Sequence, residues 1–434
     1  MKTEKPKVID KRTLEAIFAD QAEELESKKS LSFCSRRESD LVDLSSPQAQ
    51  VVIGVRRSGK STLCFQSLEN AGVKYAYADF DDERLSGLSA NQLNDVLEIL
   101  YKINGDFNYL FLDEIQNIEG WHLFVNRLLR KNMHVVLTGS NANLLSSDLA
   151  TYLTGRNKEI NLYPFSFSEY CEKNGVDIQK RTTKGEAFRR AAFDEYLSKG
   201  GFPEKLIMVD DARYVGNLVD NILRRDIEQR YRITHKDGFE RMAHHLLNIS
   251  PAFVDIQDLM ELTGIQAPHT VRNYVKHLKD AFLLIEVKKY SAKSRQRMAQ
   301  EKVYAVDVAM MDERENAFSG TNFGWRLETV VLVELKRRCK ITGMDIYYLK
   351  ERSSECDFIV CKGNVALQAI QVSYDITSTK TRRREINGLL TAANLTGCDN
   401  LLLLTDCAYE DIEAGGHKIK IRPVYEWALI DICN

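Results

Sequence analysis

Short apolar runs alternate with longer amphipathic stretches over the first third of the chain. The runs are unbroken, which is typical of parallel strands that are buried on both faces. The strand-like runs are 49–55, 74–80, 108–114, 133–140 and 158–162, and the helical stretches between them are 60–70, 91–103 and 119–131. This order predicts an α/β fold with a doubly wound parallel sheet and helices on both of its faces.

The pattern changes twice in the remainder of the chain. It is helical from 166 to 245, and two further helices separated by Gly264 then precede the strand-like runs 283–290 and 302–306. Beyond 320 helices and strands alternate again. The predicted regions are an N-terminal helical extension (1–45), an α/β core (46–165), a helical region (166–245), a winged helix-turn-helix (246–310) and a C-terminal α/β domain (311–434).

Composition limits the class of protein. Of the 434 residues 44% are hydrophobic, which is enough to bury several cores. Lys and Arg total 60 and Asp and Glu total 62, which excludes a uniformly basic coat for nucleic acid but not a local basic patch. No apolar run approaches the roughly 20 residues needed to cross a bilayer. The nine cysteines form no CxxC pair, and we therefore expect a cytoplasmic protein with reduced thiols, no structural zinc and no membrane partner.

The strongest motif is GVRRSGKS at 54–61, which has the P-loop spacing GxxxxGK[ST] and stands between a strand and a helix. Glycines let backbone N–H groups curl around phosphate oxygens, and the following helix directs its positive dipole end at the same anion. Lys60 is expected to reach the β- and γ-phosphates of a nucleotide, and the Ser61 hydroxyl to bind Mg²⁺. The predicted nucleotide-binding residues are Gly54, Arg57, Ser58, Gly59, Lys60, Ser61 and Thr62.

A pair of acids follows the third strand. The run YLFLDE drives a strand into the sheet and leaves Asp113 and Glu114 at its carboxyl end, where open α/β sheets bind ligands. Asp113 is expected to hold Mg²⁺ and Glu114 to orient the attacking water, unless both acids only solvate the strand end. The chain has no NKxD guanine signature, so the expected nucleotide is ATP.

Three later polar residues are candidates for the same site. Ser140 and Asn141 end the fourth strand, which would adjoin the P-loop strand if the sheet places it between the two motif strands. They contact the γ-phosphate or the attacking water, or they cap the next helix. Arg156 either reaches the γ-phosphate from a neighbouring subunit, which would make the protein a homo-oligomer, or is an ordinary surface arginine.

Six motifs occur in a fixed order: GVRRSGKST, FLDEIQN followed by Trp121, VVLTGSNANLL, LTGR, LYPFSFSEY and YLSKGGFPE. Together they resemble a family of prokaryotic AAA+-type ATPases that carry a C-terminal domain of unknown function. The resemblance runs from residue 45 to the end of the chain. It implies that Ser140 or Asn141 is a sensor residue, that Arg156 is an arginine finger, and that the helical region is a lid whose turn at Pro203 closes near the adenine.

The helix-turn-helix region has a basic loop. Its second helix is predicted from the apolar spacing of Val271, Tyr274, Val275, Leu278 and Phe282. The loop that follows carries the cations Lys288, Lys289, Lys293, Arg295, Arg297 and Lys302 against Glu301 alone. This segment either binds DNA phosphates as a basic wing or packs against the ATPase with a solvated loop.

The C-terminal region resembles the core of PD-(D/E)XK nucleases. Glu328 lies on a helix, Asp357 begins a strand, and Gln371 and Ser373 end the next strand. Nuclease chemistry of this type needs acidic Mg²⁺ ligands, to which Glu355 would add, and a lysine that positions water. Since Ser373 stands where the lysine is expected, we predict a degenerate fold that binds and does not cleave.

Two sets of cations bear on this prediction. Lys350 or Lys362 is a candidate to take the place of the missing lysine if the domain does cleave nucleic acid. A cluster at Lys380, Arg382, Arg383 and Arg384 is either a phosphate contact or a solvated helix start.

The sequence as a whole favours a Mg²⁺-dependent ATPase that acts as a nucleotide-driven switch associated with nucleic acid. An ATP-gated protein-interaction module that never contacts DNA is the alternative, and an ATP-regulated nuclease is a third hypothesis.

Overall fold

The structure is a computed structural model that describes residues 8–140, 153, 155–207, 213–291, 301–312, 322–351 and 354–430. The chain divides into two compact units, Met1–Leu162 and Tyr163–Asn434. The five-region division expected from the sequence stays a prediction, and each unit is described here by itself.

Unit 1 is built on a parallel sheet, as the apolar runs predict. Its strands among the described residues are β1 (Ala49–Ile53), β2 (Tyr75–Asp79), β3 (Tyr109–Asp113), β4 (His134–Gly139) and β5 (Asn157–Asn161). Their order is β2-β3-β4-β1-β5, and every neighbouring pair is parallel. The fourth strand therefore lies between the P-loop strand β1 and the acid-bearing strand β3, which is the condition set above for Ser140 to face the site.

The main helices of unit 1 in the described residues are α1 (Lys11–Lys28), α2 (Lys60–Asn70), α3 (Leu93–Asn104) and α4 (Trp121–Arg130). Apolar residues of α2 such as Leu63 and Leu68 pack with Phe111 and Val136 of the sheet in one buried cluster. The N-terminal segment belongs to this unit, because the Gln21 amide of α1 both donates to and accepts from the backbone of Asp79 at 2.9 Å.

Unit 2 holds a second, mixed sheet. Its described strands are β6 (Ala252–Phe253), β7 (Leu284–Lys289), β8 (Glu301–Ala305), β9 (Asp345–Glu351), β10 (Ser354–Lys362), β11 (Val365–Val372), β12 (Leu401–Thr405), β13 (Glu410–Ala414) and β14 (His417–Pro423). Their order is β13-β14-β12-β11-β10-β9-β7-β8-β6.

The helices of unit 2 in the described residues are α5 (Phe167–Lys173), α6 (Thr183–Lys199), α7 (Tyr214–Asn221), α8 (Lys236–Asn248), α9 (Ile256–Thr263), α10 (Pro268–Asp280), α11 (Phe323–Thr342), α12 (Thr379–Thr396) and α13 (Val424–Leu429). After α7 the chain continues as a π-helical stretch, Ile222–Glu228, and one further turn, Gln229–Tyr231. None of the helices that the structure describes is both long and apolar enough to cross a membrane.

The region expected to form a winged helix-turn-helix contains α9 and α10 on either side of Gly264, followed by the antiparallel pair β7 and β8. The second helix is shorter than the sequence suggests: α10 ends at Asp280, and Phe282 turns the chain with a φ of 56°. Strand β7 also pairs in parallel with β9, so these strands belong to the same sheet as the C-terminal region. The loop cations Lys293, Arg295 and Arg297 lie outside the described residues.

Candidate functional site

The P-loop connects the end of β1 to the start of α2 and depends on two glycines. Gly54 has a φ of 155°, and a Cβ atom there would lie 2.0 Å from the carbonyl oxygen of Leu162. Gly59 has a φ of 95° and forms the N-cap of α2. Side chains are strained in this backbone region, so glycine is what lets the loop curl in front of the helix N-terminus. Arg57 also adopts a positive φ, of 68°.

A buried hydroxyl and a buried guanidinium lie at this loop. Ser58 is fully buried, and its Oγ atom has no hydrogen-bond partner within the described part of the chain. The guanidinium of Arg36, itself 5% exposed, donates from Nη1 to the Ser58 carbonyl at 3.0 Å. Arg36 therefore closes the inner side of the loop, and an unsatisfied donor remains in it for a ligand.

Asp113 ends β3 and is held by three hydroxyl groups. Ser61 Oγ donates to Asp113 Oδ1 at 2.9 Å, Tyr77 donates to Oδ2 at 3.3 Å, and Thr138 Oγ1 also donates to Oδ1. Burial, followed by the nearby charge of Glu114, raises the pKa of Asp113 above its ordinary value. The carboxylate next to Ser61 is thus desolvated and electron-rich, which suits a hard cation.

Glu114 follows in the left-handed region, with a φ of 49°, and its side chain points back into the site. Its Oε2 atom accepts hydrogen bonds from the Ser140 backbone N–H and hydroxyl, both at 3.1 Å, and from Gln116. Burial acts to raise the pKa of Glu114, but the Lys60 ammonium and these hydrogen bonds outweigh burial and lower the pKa. Glu114 is therefore an oriented carboxylate anion.

Lys60 is the cation of the site. Its Nζ atom lies 3.6 Å from Glu114 Oε1 and donates to the Val55 carbonyl at 3.2 Å, and the side chain is 4% exposed. The ammonium thus contacts one carboxylate at 3.6 Å and one loop carbonyl, so it is available to a stronger anion such as a phosphate group.

A third acid stands at the same edge of the sheet. Asp79 ends β2 and pairs in register with Asp113 of β3. Burial and the charge of Asp113 raise the pKa of Asp79 to about 7. The site therefore holds a carboxyl group whose charge changes near neutral pH.

The residues present fit a nucleotide with Mg²⁺. The Ser58 hydroxyl is buried without a partner among the described residues, and the Ser61 hydroxyl donates to the Asp113 carboxylate. Thr62 follows on α2 and lines a small cavity of about 120 Å³ with Ser61, Tyr77 and other residues.

Arg156 lies at the other edge of this sheet. It is exposed, and its carbonyl oxygen accepts from Ala49 N at 2.9 Å where β1 begins, whereas the P-loop follows the end of β1 at Ile53. A strand of this length spans about 16 Å. Arg156 is therefore about one strand length from the P-loop of its own chain.

Two predicted residues are not brought to the site by the described structure. Asn141 lies outside the described residues. Pro203 lies in unit 2, after the buried Phe202. The turn before it packs within that unit: Gly201 N donates to Asp307 Oδ2 at 2.9 Å, and a Cβ atom on Gly200 would lie 1.8 Å from Asp307 Oδ1. The expected contact of Pro203 with adenine stays a prediction.

Sequence reasoning missed four residues of the nucleotide site. Two of them carried a usable signal: Thr138 is polar within an apolar strand, and Asp79 ends its strand as Asp113 does. Tyr77 looks like any aromatic strand residue. Arg36 comes from a polar segment of no regular pattern, so nothing in the sequence points to its burial.

The acids predicted in the C-terminal region also come together, in unit 2. Glu328, Glu355, Asp357, Gln371 and Ser373 line one open cavity of about 950 Å³. Asp357 N donates to the Gln371 side-chain oxygen at 3.3 Å, and the Ser373 hydroxyl donates to the backbone of Asp375.

One residue of the predicted basic wing was placed wrongly. Lys302 is 4% exposed and points into this acid cluster, because its strand β8 lies inside the sheet between β7 and β6. The alternative lysines do not join the cluster: Lys362 is exposed at the end of β10, and Lys350 stacks on Phe253 at 3.8 Å.

The parallel sheet, the loop that ends at Lys60 and the acid pair that follows β3 have the arrangement of a P-loop domain. Residues 46–171 match the family described as AAA domain, and residues 190–318 match a family described as a domain of unknown function (DUF8612). The second match spans the boundary drawn above between the helical region and the winged region.

Two relatives are similar to this protein over most of its length. An uncharacterized protein of Methanocaldococcus jannaschii is 30% identical over 397 residues, which are 88% of each chain. An uncharacterized protein of Haemophilus influenzae is 31% identical over 398 residues, 88% of this chain and 94% of the relative. The chain belongs to the family of AAA-domain proteins that these two relatives represent.

Two solved structures show a distant likeness. AMPPCP-bound DnaA from Aquifex aeolicus is 13% identical, with a TM-score of 0.26, over 60% of this chain and 86% of its own. Cdc6p from Pyrobaculum aerophilum is 13% identical, with a TM-score of 0.24, over 69% of this chain and 94% of its own.

The raised pKa of Asp79 predicts a pH-dependent stability of the nucleotide-free protein. The pKa is about 7 in the folded chain and about 3.9 when the chain is unfolded. The folded state therefore binds this proton more tightly than the unfolded state does. The bound proton stabilises the folded state by at most about 4 kcal/mol, and this contribution is lost as the pH rises from about 4 to about 7. We expect the melting temperature to fall between about pH 5 and pH 8, and to fall less in Asp79→Asn.

The exposed Asp106→Asn variant is the matched control and should behave as the wild type does. Equal pH dependence of the melting temperature in Asp79→Asn and the wild type would contradict the assignment.

Proposed function

We propose that this protein is an ATPase of AAA+ type that binds ATP with Mg²⁺ and hydrolyses it as a nucleotide-driven switch. The observation that carries the proposal is the convergence of Lys60, Ser61, Asp113, Glu114 and Ser140 at one edge of the unit 1 sheet. An ammonium, a hydroxyl beside a carboxylate and an oriented second carboxylate are the groups that phosphoryl transfer to water requires.

Each residue has a proposed role in this reaction. The phosphate groups are bound by the loop and by Lys60, the metal by Ser61 and Asp113, and the adenine end by Thr62 and, from the lid, Pro203. Mg²⁺, when bound, would neutralise charge on the β- and γ-phosphates. The proposed phosphate-binding residues are Gly54, Arg57, Ser58, Gly59 and Lys60.

The contacts of Glu114 suggest how the site becomes active. The Lys60 ammonium lies 3.6 Å from Glu114 Oε1 and contributes to lowering the pKa of Glu114. Phosphate oxygens compete for the same ammonium, so ATP binding draws Lys60 from Glu114 while Ser140 still holds the carboxylate in place. The released carboxylate then orients the attacking water, and Ser140 acts as a positioning residue for it.

Substitution of the two charged groups tests these roles. Lys60→Ala should reduce ATP affinity at least tenfold, because the phosphates lose their main cationic partner. Glu114→Gln should bind ATP but lower kcat by about 10²-fold or more, since the general base is lost and the metal ligand Asp113 remains. Affinity is read by nucleotide titration and kcat by phosphate release.

Matched controls are Lys131→Ala and Glu172→Gln, which change exposed residues of the same types. Wild-type turnover in Glu114→Gln would remove Glu114 from the chemistry. Wild-type affinity in Lys60→Ala would refute the phosphate site itself.

The place of Arg156 supports a role in a neighbouring subunit. Arg156 is exposed at the end of the sheet opposite to the P-loop of its own chain, so it contacts a nucleotide only if that nucleotide is bound to a neighbouring subunit. We therefore propose a homo-oligomer in which Arg156 is an arginine finger that acts in trans.

A mixing experiment tests this arrangement. Arg156→Ala and Lys60→Ala should each be inactive, and a mixture should recover part of the ATPase activity, because one subunit supplies the nucleotide site and its neighbour the arginine. Turnover per chain should also rise with protein concentration. Arg130→Ala, an exposed arginine elsewhere in unit 1, is the control. No recovery on mixing, together with concentration-independent turnover, would leave Arg156 without this role.

We further propose that the helical lid, the winged helix and the nuclease-like C-terminal domain expected from the sequence make up unit 2, and that this unit contacts nucleic acid. Two exposed cations, Lys380 and Arg383, line the large cavity and have no ion-pair partner among the described residues. Arg382, in contrast, is paired bidentately with Glu410 at 2.7 and 3.0 Å. Unpaired cations at a groove are typical of phosphate contacts.

Salt dependence separates this proposal from a protein-interaction module. DNA affinity should fall steeply with salt, and the double variant Lys380→Glu/Arg383→Glu should weaken it for all sequences alike and lower the slope of log K against log salt by about 2. The double variant Lys173→Glu/Lys180→Glu, at exposed positions that do not line the cavity, is the control. No DNA binding at low salt would favour the protein-interaction function.

A further inference from the structure

The floor of the large cavity in unit 2 contains a cation that belongs to the chain. Lys302 of β8 reaches into the space between Glu328 of α11 and the two acids of β10, Glu355 and Asp357. The lysine, Glu328 and Asp357 are each less than a tenth exposed. These side chains come from three elements that are far apart in the sequence.

The distances show an ammonium bound by several carboxylates at once. Lys302 Nζ lies 2.8 Å from Glu328 Oε1, 2.8 Å from Glu355 Oε1 and 3.7 Å from Asp357 Oδ1. Tyr304 OH donates to the same Glu328 oxygen at 2.7 Å. The remaining Asp357 oxygen, Oδ2, accepts from Val372 N at 2.9 Å. The ammonium is thus at the centre of the carboxylate oxygens.

A curved sheet makes this contact possible. Strands β9 and β7 lie between β10 and β8 in the sheet order, so β8 and β10 would be about 14 Å apart in a flat sheet. The rings of Tyr304 on β8 and Phe358 on β10 are nevertheless only 6.0 Å apart. The curvature brings the lysine over the acids, and the Phe253 ring covers it at 5.4 Å.

Electrostatics explains why the lysine stays in place. Burial acts to lower the pKa of Lys302, but Glu328 and the other surrounding anions outweigh burial and raise the pKa well above its usual range. Burial and the charge of Glu328 raise the pKa of Asp357. Three carboxylates in a desolvated site need a cation nearby, and the ammonium is the one that the chain provides.

We infer that the Lys302 ammonium is a built-in cation that takes the position of a divalent metal ion among Glu328, Glu355 and Asp357, and that its removal opens a latent divalent-cation site. Carboxylate oxygens from a helix and a strand are the ligands that Mg²⁺, Mn²⁺ and Ca²⁺ prefer. As the described chain stands, no group of three His, Cys, Asp or Glu residues is arranged to hold a metal.

The inference gives the C-terminal domain a definite chemical character. The ammonium missing at Ser373 is present after all, from β8, but it lies between the carboxylates that would otherwise bind the metal. The cavity therefore keeps an acidic floor whose charge is partly offset by the ammonium, and a rim with the cations Lys380 and Arg383. Such a groove binds phosphate groups at its rim without metal-dependent hydrolysis.

Mn²⁺ titration of the full chain without nucleotide tests the inference. Asp113→Asn serves as the common background, so that any bound Mn²⁺ is counted in unit 2, and electron paramagnetic resonance reports free Mn²⁺. We expect no Mn²⁺ site in this background. Lys302→Met should gain one site that binds Mn²⁺ at least tenfold more tightly than any residual binding in the background, and Lys302→Arg, which keeps the charge, should gain none. Mn²⁺ should also raise the melting temperature of Lys302→Met alone.

Lys279→Met is the matched control. Lys279 also bridges two carboxylates, Glu286 at 2.9 Å and Glu301 at 2.7 Å, but it is 20% exposed, and no third ion pair is found for it among the described residues. It should gain no Mn²⁺ site. If Lys279→Met gains the same affinity as Lys302→Met, the gain is a general effect of lysine removal and the inference is wrong.

Three other results would overturn it. The first is a Mn²⁺ site in the parent background that disappears in Asp357→Asn. The second is folded Lys302→Met, or Lys302→Gln as a second variant, without any gain in affinity. The third is metal-dependent DNA cleavage by the wild type that Asp357→Ala abolishes.

Failure to fold also decides the question. If Lys302→Met and Lys302→Gln fold only when Mn²⁺ is supplied, the ion replaces the ammonium as inferred, and if Mn²⁺ does not rescue them the inference fails. ATP binding in unit 1 is measured in Lys302→Met and Lys302→Gln chains that keep Asp113, and it is expected at the wild-type level, so the outcome is distinct from that of the ATPase proposal.

Discussion

Two neighbouring carboxylates, the buried Asp113 and the partly buried Glu114, lie at the carboxyl end of β3, and the rest of the nucleotide site is arranged to keep them there. Asp113 accepts hydroxyl hydrogen bonds from three other elements, and Glu114 is shared between the Lys60 ammonium and Ser140. Two adjacent negative charges that are largely shielded from water raise the free energy of the folded state unless such partners surround them. The strand order β2-β3-β4-β1 satisfies this constraint, because β4 on one side of β3 supplies the Thr138 and Ser140 donors and β2 on the other side supplies Tyr77, while the P-loop follows β1 just beyond β4.

Much of this edge could be predicted from the chain alone. Unbroken apolar runs identified the parallel strands, and parallel strands place their carboxyl ends together, so local motifs in separate segments had to meet. What could not be predicted were partners supplied from outside the motifs. Arg36 lies outside the regular α/β pattern, and its buried guanidinium donates to the Ser58 carbonyl of the P-loop. Burial of this kind depends on tertiary packing, which leaves no periodic trace in the sequence.

The C-terminal cluster shows the same limit more sharply. Glu328 and Asp357 were found because a helix acid and a strand acid have a recognisable spacing. Lys302 was assigned to an exposed wing because it follows a run of cations along the chain. The sheet curves, however, and carries β8 across to β10, so the neighbours of Lys302 in space are acids that come later in the sequence. Sequence patterns report which residues are adjacent along an element, and they do not report how far a sheet bends.

Arg36 has a consequence for where this protein can be divided. The segment that matches the AAA family begins at residue 46, yet the guanidinium that supports the P-loop and the Gln21 amide that holds the end of β2 both come from earlier residues. A fragment that begins at this boundary would retain the P-loop and the acid pair, and it would lose the Arg36 guanidinium that donates to the loop. The piece that keeps these contacts is therefore larger than the segment by which the domain is recognised, and the residues before the motif belong to the same compact unit.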